Sequence, residues 1–75
     1  MDNNLREFEI DKEPLELYKI LKLDNQVQSG GEAKFVISEG LVKVNNEVET
    51  RKAKKIYNND IIDFEGDKIL IKLKS

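Results

Sequence analysis

The sequence predicts an α+β fold, in which two short packed helices lie against a small, twisted, mainly antiparallel sheet of about four to five strands. Three observations lead to this prediction. Apolar residues recur at helical spacing in the first half of the chain and alternate with polar residues in the second half. Turns rich in asparagine or glycine separate the alternating runs. With 75 residues, we expect one small domain with a thin stability margin.

The first strand and the first helix are predicted near the N-terminus. Within Leu5–Ile10, the apolar Phe8 and Ile10 lie on one side and two glutamates on the other, which is typical of a half-buried strand. Pro14 suits the first position of a helix, because its missing N–H would have no partner there. The apolar stripe of this short helix comprises Leu17, Ile20 and Leu21.

The stretch SGGEAK, residues 29–34, marks the start of the second helix. Ser29 and Glu32 match a capping box, in which the serine oxygen accepts a hydrogen bond from the Glu32 amide and the glutamate reaches back to the cap amide. Gly40 is placed to end the helix in the left-handed conformation. The buried face of the helix is expected to comprise Ala33, Val36 and Ile37.

The adjacent glycines Gly30 and Gly31 require a physical reason, because glycine costs a helix roughly 1 kcal/mol relative to alanine. One interpretation is a tight turn between the helices with positive φ. The other is a phosphate site, where unshielded amides and the helix dipole favour an anion. Both interpretations remain open from the sequence alone.

About four strands are predicted after the second helix. Val42 and Val44 precede Asn45-Asn46, a pair that can adopt the positive φ angles of a hairpin turn before Val48 returns the chain. A second turn is expected at residues 58–60. The last strands carry alternating apolar residues, first Ile62 and Phe64, then Ile69, Ile71 and Leu73.

The composition argues against most enzyme classes. The chain has no cysteine and no histidine, so it lacks thiolate nucleophiles, imidazole bases and the usual zinc ligands. Carboxylates at residues 60, 63, 65 and 67 could hold a metal, but their positions are more typical of a turn and the solvent face of a strand. We therefore expect no catalytic residue, metal, cofactor or small-molecule substrate. No apolar run approaches the roughly 18 residues of a membrane span, so we expect a cytoplasmic, monomeric protein without a membrane partner.

Positive charge is concentrated in the middle of the chain. Residues 34–55 contain six Lys/Arg against three Asp/Glu, although the net charge of the chain is −2. The stretch ETRKAKK, residues 49–55, is either a solvated loop or a phosphate-binding cluster. If the hairpin and the second helix pack side by side, Lys34 and Lys43 converge with this cluster on one rim. Tyr18, Phe35 and Tyr57 could stack on bases, although such aromatics more often pack in the core.

Residues 17–64 resemble the RNA-binding domain first described in the small-subunit ribosomal protein S-four, also called the alpha-L motif. The stretches that carry this resemblance are SGGEAK, ISEGLVKVNNEVETR and NDIIDF, residues 29–34, 37–51 and 59–64. They are especially similar to small free-standing bacterial proteins of the YaaA/YbcJ type. The resemblance implies one RNA-binding domain over residues 1–75, with a family-like core at 14–66 and flanking strands at 5–10 and 68–74. It also implies binding of structured RNA, with ribosomal or ribosome-associated RNA as the expected partner.

Residue by residue, the resemblance implies an RNA-binding surface made of Ser29, Gly30, Gly31, Lys34, Lys43, Asn45, Asn46, Thr50, Arg51, Lys52, Lys54 and Lys55. Two positions depart from the family pattern, since Glu16 and Gly30 stand where many members have arginine. Asn46 and Asn59 replace turn glycines, which asparagine tolerates because it visits the left-handed region readily. The missing arginines and the negative net charge motivate an alternative, a protein-interaction module on the same fold that does not bind RNA.

Overall fold

The computed structural model describes residues 5–74 and confirms the predicted α+β fold. Helix α1 spans Leu17–Leu23 and helix α2 spans Gly30–Ser38. The strands are β1 (Leu5–Ile10), β2 (Leu15–Glu16), β3 (Val42–Val44), β4 (Glu47–Val48), β5 (Lys55–Ile56), β6 (Ile61–Phe64) and β7 (Asp67–Leu73). None of the helices in this part of the chain is long and apolar enough to cross a membrane.

The strands form a five-stranded sheet and a separate two-stranded ladder. The order in the larger sheet is β1-β7-β6-β3-β4, and every pairing is antiparallel except that of β1 with β7. The first strand therefore adds to the sheet beside the last, in parallel, over the full length of Leu5–Ile10. The second ladder pairs β2 with β5 and was not predicted from the sequence.

Both helices contribute their apolar stripes to one core against the large sheet. The predicted helix positions are buried, and so are the alternating valines, isoleucines and phenylalanine of β3, β6 and β7. The hydrophobic effect is the main favourable contribution here, because each fully buried aliphatic side chain stabilises the fold by about 1.5–3 kcal/mol. The fully buried large side chains are Leu17, Ile20, Leu21, Ile37, Val42, Ile56, Ile62, Ile69 and Ile71.

Helix α1 begins later than predicted. Pro14 is not its first residue, because Leu15–Glu16 pairs with Lys55–Ile56 as an extended strand and delays the helix to Leu17. Glu16 occupies the N-cap position without a side-chain cap. The amides of Leu17 and Tyr18 in the first turn donate instead to backbone carbonyls of a distant segment.

Helix α2 begins at the predicted cap with one difference. The Ser29 Oγ accepts a hydrogen bond from the Glu32 amide at 3.1 Å, as expected. The Glu32 carboxylate accepts from the Gln28 amide at 2.9 Å instead of the Ser29 amide, so it holds the chain one residue earlier. Gly40 ends the segment with φ of 78°, as predicted for a left-handed position.

Asparagines form the predicted turns. Asn45 and Asn46 have φ of 52° and 72° in the β3–β4 hairpin, and Asn59 has φ of 76° before β6. One prediction was wrong, since Glu65 does not lie on the solvent face of a strand. It has φ of 57° and forms the β6–β7 turn with Gly66, because β6 ends at Phe64.

Candidate nucleic-acid interface

The basic segment, defined here as residues 51–55, is a turn that is fixed to helix α1. The Lys54 amide donates to the Arg51 carbonyl at 3.2 Å, which closes the turn. The Leu17 amide donates to the Lys54 carbonyl at 2.9 Å, and the Tyr18 amide donates to the Lys52 carbonyl at 3.1 Å. Carbonyls of the basic segment therefore take the place of a side-chain cap for α1. The side chains of the segment project from an anchored backbone.

Tyr18 connects the basic segment to helix α2. The Lys34 ammonium lies 4.8 Å from the centroid of the Tyr18 ring, within the range of a cation–π interaction. Gly30 and Lys34 are four residues apart on α2 and therefore lie on the same side of the helix. Tyr18 thus contacts Lys34 of α2 through its ring and the basic segment through its backbone amide. We call Lys34 and residues 51–55 together the basic surface.

Carboxylates neutralise only part of this surface. Arg51 makes two side-chain hydrogen bonds to Glu49, at 2.8 and 3.2 Å, and its amide makes a third at 3.0 Å. The hydrogen bond from Arg51 lowers the pKa of Glu49 and raises the pKa of Arg51, so both stay charged and paired. Within residues 5–74, the cations of the basic surface that form no ion pair are Lys34, Lys52, Lys54 and Lys55.

Lys43 does not lie with the basic surface. It alternates with the buried Val42 and Val44 and therefore faces away from the helices. Its neighbours across the sheet are Val48 on β4 and Asp63 on β6. The packing of the hairpin therefore separates Lys43 from the rim on which we expected it, and its role in binding stays a prediction.

The two glycines at the start of α2 have neither a positive φ nor a neighbouring atom that a Cβ would clash with. Neither has a positive φ, so the interpretation as a left-handed interhelical turn was wrong. A Cβ added at Gly30 would meet nothing within 4 Å, and at Gly31 it would meet only the Ser29 Oγ at 3.8 Å. Within residues 5–74 the amides of both glycines donate no hydrogen bond. An anion could reach these amides without obstruction.

The remaining predicted residues differ in what their side chains do. Asn45 is already engaged, because its amide group donates to Asp60 at 3.1 Å and its oxygen accepts from the Ile61 amide at 2.9 Å. Asn46 and Thr50 are exposed. The Ser29 hydroxyl is used by the helix cap. Asn45 and Ser29 therefore position the backbone, whereas Asn46 and Thr50 remain accessible.

Lys19 and Tyr57 were not among the predicted site residues, although Tyr57 was recognised as able to stack on a base. Lys19 lies 3.2 Å from the Glu16 carboxylate and 6.0 Å from the Tyr18 ring, so it partly offsets the acidic residue found at a family arginine position. Tyr57 is 47% exposed and lines an open groove of about 760 Å³ together with residues 50–55. Spacing could have indicated the Glu16 and Lys19 pair, which lie one helical turn apart.

Comparisons with known proteins give a consistent result. A family model described as S4 domain matches residues 8–72. The chain is 44% identical over 57 residues to the Bacillus subtilis protein named "Probable ribosome maturation protein RlbA". This match covers 76% of this chain and 80% of that protein. The chain is 42% identical over 65 residues to the Escherichia coli protein named "Putative RNA-binding protein YbcJ". This match covers 85% of this chain and 93% of that protein. The solution structure of E. coli YbcJ, described as revealing an alfaL motif involved in RNA binding, matches with a TM-score of 0.70 and 40% identity, over 96% of this chain and 91% of that chain.

Proposed function

This chain belongs to the S4 domain family, and from that premise we propose that it is a non-catalytic module that binds structured RNA through the basic surface. Ribosomal RNA, or RNA associated with the ribosome, is the proposed partner. The names of the relatives support this, since one refers to RNA binding and the other to ribosome maturation. We further propose that the chain is a single-domain monomer that acts in the cytoplasm, where bacterial ribosomes are found.

The observation that carries the proposal is the combination of unpaired cations with a fixed backbone. Lys52 and Lys54 form no ion pair within residues 5–74, while their carbonyls accept hydrogen bonds from the first turn of α1. Phosphate contacts formed from a fixed backbone lose less conformational entropy than contacts from a flexible loop. Because an A-form major groove is too narrow for side chains, such contacts read the shape of the RNA through its phosphates.

The salt dependence of binding tests this proposal. If each of the four unpaired lysines of the basic surface neutralises one phosphate, the logarithm of the association constant should fall with the logarithm of salt concentration with a slope of about −3 to −4. Affinity for a folded ribosomal RNA fragment should then drop about a hundredfold between 50 and 200 mM salt. Fluorescence anisotropy across a salt series measures both quantities. A slope near zero, or no binding, would reject the proposal and favour the protein-interaction alternative.

Substitution of the glycines at the start of α2 separates their structural effect from their role in binding. We expect Gly30→Ala and Gly31→Ala each to raise the free energy of unfolding by about 0.5–1 kcal/mol, because an added Cβ clashes with nothing at either position and alanine favours a helix. RNA affinity should nevertheless fall about fivefold, since the methyl group shields amides that would otherwise contact a phosphate. Thermal unfolding and RNA titration of the same samples measure the two effects. Higher stability with unchanged affinity would show that no phosphate binds these amides.

A further inference from the structure

Tyr57 lies where two adjoining depressions of the surface meet. The first is the groove formed by the basic segment, and the second is a smaller depression of about 430 Å³. Arg51, Lys54 and Lys55 belong to both. The smaller depression also contains three carboxylates, which belong to Glu47, Glu49 and Asp60. Tyr57 therefore borders a groove whose charged residues are all cationic and a depression in which the same cations are mixed with acidic residues.

The backbone of Tyr57 is fixed by its own turn. The Asp60 carboxylate accepts a hydrogen bond from the Tyr57 amide at 2.8 Å, and the Asp60 amide donates to the Tyr57 carbonyl at 3.1 Å. The second oxygen of Asp60 accepts from the side chain of Asn45 at 3.1 Å. The preceding residue, Ile56, is fully buried. The half-exposed aromatic ring therefore starts from a fixed backbone, and its apolar surface has no core role that would explain its position.

The mixed charge around Tyr57 restricts what can occupy this place. A phosphate is attracted to Lys54 and Lys55, but it is repelled where the groove continues toward Glu47 and Asp60. An uncharged aromatic base suffers no such repulsion, and the exocyclic amino groups of bases can donate hydrogen bonds to carboxylates. One nucleotide carries both parts, a phosphate and a base. In a duplex the faces of the base are covered by its stacked neighbours, so only an unpaired nucleotide offers a free face to Tyr57.

We propose that the groove binds one unpaired nucleotide of the target RNA, with its base stacked on Tyr57 and its flanking phosphates on Lys54 and Lys55. This inference rests on the proposed function and makes it more specific. The protein then recognises a bulge, a loop or a strand end beside a structured region, rather than a continuous duplex. Stacking of a base on an aromatic side chain gives an expected gain in affinity of about tenfold.

A pair of RNA hairpins tests the inference. Both have the same stem, and the stem carries either one bulged 2-aminopurine nucleotide or an abasic nucleotide at the same position. The abasic RNA keeps every phosphate and lacks only the base. The wild-type protein should bind the 2-aminopurine RNA about tenfold more tightly. The fluorescence of 2-aminopurine should decrease on binding, because stacking on an aromatic ring quenches it.

Variants of Tyr57 locate the effect. Tyr57→Leu should bind both hairpins with the affinity that the wild type shows for the abasic RNA, whereas Tyr57→Phe should keep the preference. Phe35→Leu is the matched control, since Phe35 is also exposed, at 60%, but does not line the groove, and it should keep the preference as well. A preference that persists in Tyr57→Leu would overturn the inference and leave the proposed function standing. Absence of salt-dependent binding to either hairpin would overturn both.

Discussion

Replacing Lys52, Lys54 and Lys55 with glutamine is expected to weaken binding to structured RNA by about a hundredfold. The slope of the logarithm of the association constant against the logarithm of salt concentration should become less negative by about 3. These side chains form no ion pair within residues 5–74, so each is available for one phosphate. Arg51 is left unchanged because Glu49 already offsets its charge. The same titrations with the folded ribosomal RNA fragment measure the change.

A second triple variant controls for the change in net charge. Lys12, Lys22 and Lys74 are exposed and lie outside the basic surface, and their replacement with glutamine removes the same charge. This variant should lose only the small affinity that long-range electrostatics provides, about two- to threefold at moderate salt. Circular dichroism should show both variants folded, because all the replaced side chains are at the surface. Equal losses for the two variants would mean that binding responds to total charge and not to the basic surface.

Periodicity in the sequence was sufficient to predict the helices, their buried faces and most of the large sheet. Local patterns determine these features, because apolar stripes at helical spacing or in alternation can be buried in only one way. The turns at Asn45-Asn46 and Asn59 were likewise predictable, since asparagine tolerates the left-handed region. Burial of Ala33, Val36 and Ile37 follows from the same logic.

Features that depend on pairing between distant segments were not predictable in this way. The β2–β5 ladder joins residues 15–16 to residues 55–56, and no local pattern marks so short a pairing. Its consequence is large for the site, because it delays α1 and brings the carbonyls of Lys52 and Lys54 to the first turn of the helix. The same limitation explains the expectation for Lys43, since its alternation with Val42 and Val44 gives its side of the strand but not which elements pack on that side.

For the exposed and half-buried aromatic residues, too, the sequence predicted a general property but not the surroundings of each ring. Each of Tyr18, Phe35 and Tyr57 was recognised as able to stack, but their different surroundings are a matter of tertiary structure. Tyr18 lies beneath the Lys34 ammonium, Phe35 is exposed, and Tyr57 borders the groove. Sequence spacing gives the side of a helix or strand on which a residue lies, but it does not give the neighbours that come from other elements.

Arg6 joins β1, the end of α1 and β7, and its loss should destabilise the fold by more than an ordinary surface substitution does. Its guanidinium makes two hydrogen bonds to Asp24, at 2.7 and 3.2 Å, and two to Asp67, at 2.6 and 3.2 Å. These contacts tie β1 to the end of α1 and to β7. Hydrogen bonding to Asp24, followed by that to Asp67, raises the pKa of Arg6 above its usual range. The partner residues are 18 and 61 positions away, so sequence patterns gave no indication of them.

We expect Arg6→Leu to lower the free energy of unfolding by about 2–3 kcal/mol, because it leaves a carboxylate largely shielded from water without its charged partner. The Asp24 side chain is 8% exposed and occupies the C-cap of α1, where the helix dipole disfavours a negative charge. Only the neutral Gln26 side chain, at 3.0 Å, still donates to it among the described side chains. Urea unfolding measures the loss. If the unpaired charge is the cause, Asp24→Asn in the same chain should recover part of the stability, whereas a further loss in the double variant would show that the contacts of Arg6 with Asp67 and β7 dominate.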